Sequence, residues 1–99
     1  MTVKFQLNSK GAPAGKLADG ELHFSGGPLD GLRLLGFAIW ERKNGGRSVT
    51  FPARQYVMNG EKRSFQLLRP IADGGTEQKL REIVLEAYKE FESELAAAS

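Results

Sequence analysis

Residues 48–71 read SVTFPARQYVMNGEKRSFQLLRPI. Two strand-like runs meet at Asn59-Gly60, a pair suited to the positive φ angles of a two-residue hairpin turn. The turn joins Gln55–Met58 to Lys62–Leu68. Pro52 interrupts the first run and Pro70 closes the second. Proline has no N–H for a sheet ladder, so the chain at Pro52 is expected to be bent, bulged or at an edge. Arg54, Lys62, Arg63 and Arg69 project from the stretch against one acid, Glu61. A basic antiparallel hairpin with no catalytic constellation beside it reads as a binding surface.

The flanking sequence builds the rest of the sheet. Asn44-Gly45-Gly46 is a tight-turn signal, which makes Arg33–Glu41 and Ser48–Phe51 a second hairpin. Leu32–Trp40 (LRLLGFAIW) is apolar on both alternating faces apart from Arg33, the pattern of a central strand covered on both sides. Gly36 inside it predicts a bulge or the close approach of another backbone. Val3, Phe5 and Leu7 alternate with Lys4 and Gln6, a half-buried strand. Asn8–Gly15 is turn-rich and reads as a loop. Leu22 and Phe24 alternate with Glu21, His23 and Ser25 in a short second strand.

Downstream, Asp73-Gly74-Gly75 is a connector. Thr76 is suited to cap a helix, and Glu77 sits where the helix dipole favours an acid. Leu80, Ile83, Val84, Ala87, Tyr88, Phe91 and Leu95 form one helical stripe, with Glu82, Glu86, Lys89 and Glu90 largely opposite. Fraying is expected within Ala96–Ser99. The pattern predicts a single α+β domain over residues 1–99. It is a bent antiparallel sheet of about five strands with one C-terminal amphipathic helix packed on it.

Composition bounds the chemistry. Ninety-nine residues support one main core. No cysteine is present, which removes disulfides, thiolate catalysis and cysteine-ligated zinc. The N-terminus shows no signal-peptide core and no apolar run approaches a membrane span, so the expectation is a cytoplasmic protein without a membrane partner. Charge is unevenly spread. Residues 33–69 hold eight Lys/Arg against two acids, whereas residues 76–99 hold three against six Glu. A basic middle suggests an anionic partner. Strands also display Lys and Arg simply to discourage edge-to-edge pairing.

Catalytic arrangements are not evident. His23 is the only histidine, and Asp19, Glu21 and Asp30 near it lack metal-ligand spacing. Ser25, Ser48 and Ser64 have no second histidine for a triad. None of the paired glycines precedes a phosphate-loop lysine. An enzyme, a cofactor and a small-molecule substrate are therefore not expected. Among the aromatics, Trp40 reads as core or dimer interface, and Tyr56, beside Arg54, as a stacking residue.

The ordered series Gly46, Val49-x-x-Pro52-x-Arg54, Gly60-Glu61 with Arg63, Pro70-Ile71, and a helix carrying Ile83, Val84, Leu85 and Tyr88 resembles the SpoVG family, the stage V sporulation protein G or septation regulators of bacteria. Gly36-Phe37-Ala38-Ile39 stands where that family places its central strand, so the likeness spans roughly residues 36–88. Phe51 and Arg69 depart from it, standing where the family usually has Met and His. The resemblance implies a small regulator that dimerises through its sheet and binds DNA or RNA with low sequence specificity. Phosphate contacts would come from Arg42, Lys43, Arg47, Arg54, Lys62, Arg63 and Arg69. The alternative is a non-enzymatic interaction module whose basic sheet docks an acidic protein. A homodimer is expected on separate grounds: one helix covers only one face of a sheet whose central strand is apolar on both.

Overall fold

A computed structural model describes residues 1–11, 13–72 and 74–98. Ala12, Asp73 and Ser99, expected in the first loop, the connector and the frayed helix end, lie outside the described residues. The elements run β1 (Thr2–Leu7), β2 (Lys16–His23), β3 (Arg33–Glu41), β4 (Arg47–Thr50), β5 (Ala53–Met58), β6 (Glu61–Gln66) and α1 (Thr76–Ala98). The first four form an antiparallel meander in the order β1-β2-β3-β4, and β5 and β6 pair only with each other. The class is α+β, as the patterning predicts. The strand count is six because Pro52 divides the run that begins at Ser48. One bent sheet becomes a four-stranded sheet and a separate hairpin arm.

The meander has one apolar face. Register sets Val3, Leu22 and Leu34 side by side, then Phe5, Gly20 and Phe37, then Leu7, Ala18, Ile39 and Val49. Opposed residues share a face, so these rows form one surface. Val84 and Tyr88 of α1 bury against it, with Leu80, Leu85 and Phe91 packed around them. Phe5 meets Tyr88 edge-on at 5.1 Å between ring centroids and lies 5.4 Å from Phe91. Burial of this surface is the main favourable term for folding.

Gly36 sets the phase of β3. Its φ is +109°, and a Cβ there would stand 3.1–3.3 Å from Pro52 atoms. Both expectations for this residue, a bulge and a close backbone approach, are met at once. The pairing slips between Gly20 and Glu21, opposite Gly36. As a result Leu34 shares the helix-side face with Phe37 and Ile39, while Leu35, Ala38 and Trp40 share the other. Without the bulge, strict alternation would put Leu34 beside Ala38 and Trp40. Nor is β3 covered on both sides: Leu35 is 55% exposed on the open face. Trp40 is half-buried there and donates its Nε1–H to Thr50 Oγ1 at 2.9 Å.

Two further boundaries differ from expectation. Strand β2 starts at Lys16, because its first half carries Asp19 and Gly20 and so hides from an alternation test. Helix α1 begins with Gly75 in the capping position, its carbonyl accepting the Lys79 N–H at 2.9 Å, and Thr76 opens the first turn. It continues to Ala98, beyond the expected fraying point. Its buried stripe centres on Val84 and Tyr88, which turns Ile83 and Leu95 outward and Leu85 inward.

The molecule is elongated. Its radius of gyration is 15.0 Å, against about 13 Å for a compact chain of this length. Every residue of β5 and β6 except Gln66 is exposed.

Gly36→Ala should lower unfolding free energy by at least about 1–3 kcal/mol, the cost of holding a non-glycine residue in that backbone region. Contact with Pro52 adds to it. Gly74→Ala, with open space around the position, should stay within about 0.5 kcal/mol of wild type. Urea denaturation followed by circular dichroism measures both.

Candidate nucleic-acid interface

The arm is a two-residue hairpin. Asn59 has φ +52° and Gly60 φ +78°, the doubly positive turn whose twist matches paired strands. That turn fixes register, because partners must be equidistant from it. Arg54 therefore opposes Phe65, Tyr56 opposes Arg63, and Met58 opposes Glu61. Alternate pairs share a face. One face of the arm carries Arg54, Tyr56, Met58, Glu61, Arg63 and Phe65. The other carries Ala53, Gln55, Val57, Lys62, Ser64 and Gln66.

Three of the sequence candidates, Arg54, Tyr56 and Arg63, thus lie together. Arg69 joins them from beyond the arm, its guanidinium 4.8 Å from the centroid of the Phe65 ring. Phe65, which the sequence analysis does not single out, completes the set. The signal for it was available: a two-residue turn at positions 59 and 60 places residue 65 across from residue 54. Tyr56 and Phe65 are diagonal neighbours on the ribbon and are 37% and 47% exposed. Arg63 reaches Glu61 at 3.3 Å in an exposed pair. Such pairs hold side chains weakly, so Arg63 is available to other anions. Lys62 projects from the reverse face beside Val57.

The remaining candidates lie elsewhere. Arg42 and Lys43 sit in the β3–β4 turn, where the Arg42 N–H bonds the Gly46 carbonyl at 2.9 Å. That turn is at the opposite end of β4 from Pro52, about 16 Å along an extended chain. Arg47, at the start of β4, is committed to the helix. Its Nε and Nη2 donate to the two carboxylate oxygens of Glu92 at 3.3 and 3.1 Å, and its Nη1 donates to the Gly45 carbonyl at 3.0 Å. The Glu92 hydrogen bonds hold the Arg47 guanidinium above its usual pKa. Tyr88, beside this pair, has its phenol pKa raised chiefly by burial and secondly by the Glu92 charge. Arg81 of α1 lies 5.1 Å over the Phe51 ring. These contacts secure α1 along the β4 edge.

Charge is segregated in space as well as in sequence. The arm presents Arg54, Lys62 and Arg63 with one acid, and Arg69 adds to them. Outward positions of α1 carry Glu82, Glu86 and Glu90, all exposed. The arm is thus net basic and the outward side of α1, with Lys79 and Lys89 among these acids, net acidic. On the open face of the meander, Glu21 accepts from His23 Nε2 and lies 3.5 Å from Arg33 Nη1. The His23 hydrogen bond, ahead of the Arg33 charge, holds the Glu21 carboxyl below its usual pKa. Among the described residues, no group of three or more His, Asp or Glu side chains is placed to hold a metal ion. Among the same residues, no helix is long and apolar enough to cross a membrane.

No protein-family model, curated protein or solved structure matches this chain.

A double-mutant cycle on Arg47→Ala and Glu92→Ala should give a coupling energy of about 0.5–1 kcal/mol at low salt. It should shrink as ionic strength rises. Additive losses in urea denaturation would show that the pair does not hold α1 to β4.

Proposed function

We propose that the chain is a small nucleic-acid-binding regulator of the SpoVG type, binding DNA or RNA with low sequence specificity through its hairpin arm. The observation that carries this reading is the exposed face on which Arg54, Tyr56, Arg63 and Phe65 stand together, with Arg69 stacked beside them. Arginine matches phosphate geometry and stacks on planar groups, so these residues serve a nucleic acid twice over. Arg42, Lys43 and Lys62 lie outside that face, on one turn and on the reverse of the arm. They add long-range attraction. Arg47 is paired with Glu92, which offsets its charge, so it adds little.

Little base readout follows from this arrangement. Contacts to phosphate fix position but carry no sequence information. The resemblance to the SpoVG regulators supports the same reading. A second copy is suggested by Leu35, which is 55% exposed on the open face of the meander beside the half-buried Trp40 and is apolar surface that a partner would cover. The partner is then a homodimer that doubles the number of arms.

Arg54→Glu with Arg63→Glu should weaken binding to duplex DNA, single-stranded DNA and RNA of any sequence by roughly tenfold or more at low salt. In the wild type, log K against log[salt] should fall with a slope of about −0.7 to −0.9 per phosphate contact. Electrophoretic mobility shifts at several salt concentrations measure both. No shift at low salt would leave the arm as a dock for an acidic protein surface. Sedimentation equilibrium at micromolar concentration should return twice the 10.9 kDa chain mass; a clean monomer would remove the homodimer.

A further inference from the structure

We infer that the arm selects unpaired nucleic acid, with successive bases stacking on Tyr56 and Phe65 while Arg54 and Arg63 hold the backbone. This rests on the arm being the nucleic-acid surface and goes further, because it names which form of nucleic acid the surface takes.

Three observations carry it. First, the rings are alternately placed with cations: Arg54 opposes Phe65 and Tyr56 opposes Arg63. Each ring therefore has an arginine directly across the ribbon and another along its own strand or beside it. A chain of alternating bases and phosphates meets a matching alternation of rings and guanidinium groups. Diagonal neighbours on an antiparallel pair lie about 7–8 Å apart at Cα and somewhat less at Cβ. That is about twice the 3.4 Å rise per nucleotide within a stacked strand. It suits bases that have left their own stack, each taking one ring.

Second, the rings are available to a ligand. Tyr56 and Phe65 take no part in the core cluster, and Met58 and Leu67 near them are also exposed. The Arg69 guanidinium carbon covers one face of the Phe65 ring at 4.8 Å, and the ring is still 47% exposed. A base can lie on a guanidinium plane as on a ring, so Arg69 lengthens the platform. Third, the charge is complementary: the arm's cations outnumber its single acid, Glu61.

A duplex uses this face poorly. Its base faces are covered by their neighbours, so it offers the arm phosphates and groove edges but no stacking partner. The exposed Tyr56 and Phe65 rings would then gain little. Single strands of DNA and of RNA both offer free base faces, and the stacking chemistry is common to them.

The test uses the full chain and fluorescein-labelled 16-mers of oligo-dT, oligo-U and a dA·dT duplex, with affinities from fluorescence anisotropy at one salt concentration. The wild type should bind a single strand at least about tenfold more tightly than the duplex. The ratio of oligo-dT to oligo-U affinity assigns the source of the single strand. Tyr56→Leu with Phe65→Leu should lose roughly five- to 150-fold per ring on the single strand, the range for one base–aromatic stack, and little on the duplex. Tyr56→Phe, which keeps a ring, should bind as wild type. Gln55→Ala with Val57→Ala, on the reverse face, should also bind as wild type and controls for loss of the hairpin itself. Equal affinity for single strand and duplex overturns the inference while leaving the arm as a general phosphate-binding surface. So does wild-type single-strand affinity in the Leu variant. Failure of all three probes to bind overturns the inference and the proposed function together.

Discussion

The contact between Gly36 and Pro52 is the constraint on which the other features depend. Pro52 fills the space that a side chain at position 36 would take, and Gly36 accepts a backbone conformation that other residues resist. The bulge made there turns Leu34, Phe37 and Ile39 to the same side, which gives α1 a continuous apolar surface to cover. The same proline cannot extend the ladder of β4. The chain therefore leaves the meander at this point and begins the arm. A single close approach thus sets both where the core lies and where the hairpin arm starts.

The division of labour among the cations follows from the same geometry. Residues before Pro52 belong to the body, so Arg47 is near enough to α1 to meet Glu92. Arg54, Lys62 and Arg63 follow it on the exposed strands of the arm. Arg54 and Arg63 keep their charge facing solvent, whereas Arg47 has a bidentate partner. Composition alone treats them alike. Geometry separates an arginine that binds the protein to itself from those open to something else. The acidic outer face of α1 then biases any anionic ligand toward the arm.

Much of this was legible in the sequence where the signal is local. The two Asn-Gly turns, the amphipathic helix and the special role of Gly36 each follow from residues within a few positions of one another. What escaped depended on distant partners or on phase. The first half of β2 is disguised by Asp19 and Gly20. The face of Leu34 is inverted by the bulge at Gly36, which strict alternation does not accommodate. Leu85 replaces Ile83 in the helix contact because the rotation of α1 is set by the sheet it meets. The tie between Arg47 and Glu92 spans 45 positions and leaves no local trace. Phe65 was the exception, since its place opposite Arg54 was fixed by the turn alone.

The arm's separation from the body has a consequence for how such a chain changes over generations. Residues that touch nothing in the core alter folding free energy by little when replaced, commonly within about 0.5 kcal/mol. Replacements on the exposed faces of β5 and β6 therefore leave folding nearly untouched, while those in the apolar rows of the meander and α1 do not. Substitutions on one side rarely penalise the other. A small domain arranged in this way can change the surface of its arm and still fold. The arm's sequence is accordingly free to diverge faster than the scaffold that carries it, with the turn at Asn59-Gly60 and the root at Pro52 as its fixed points.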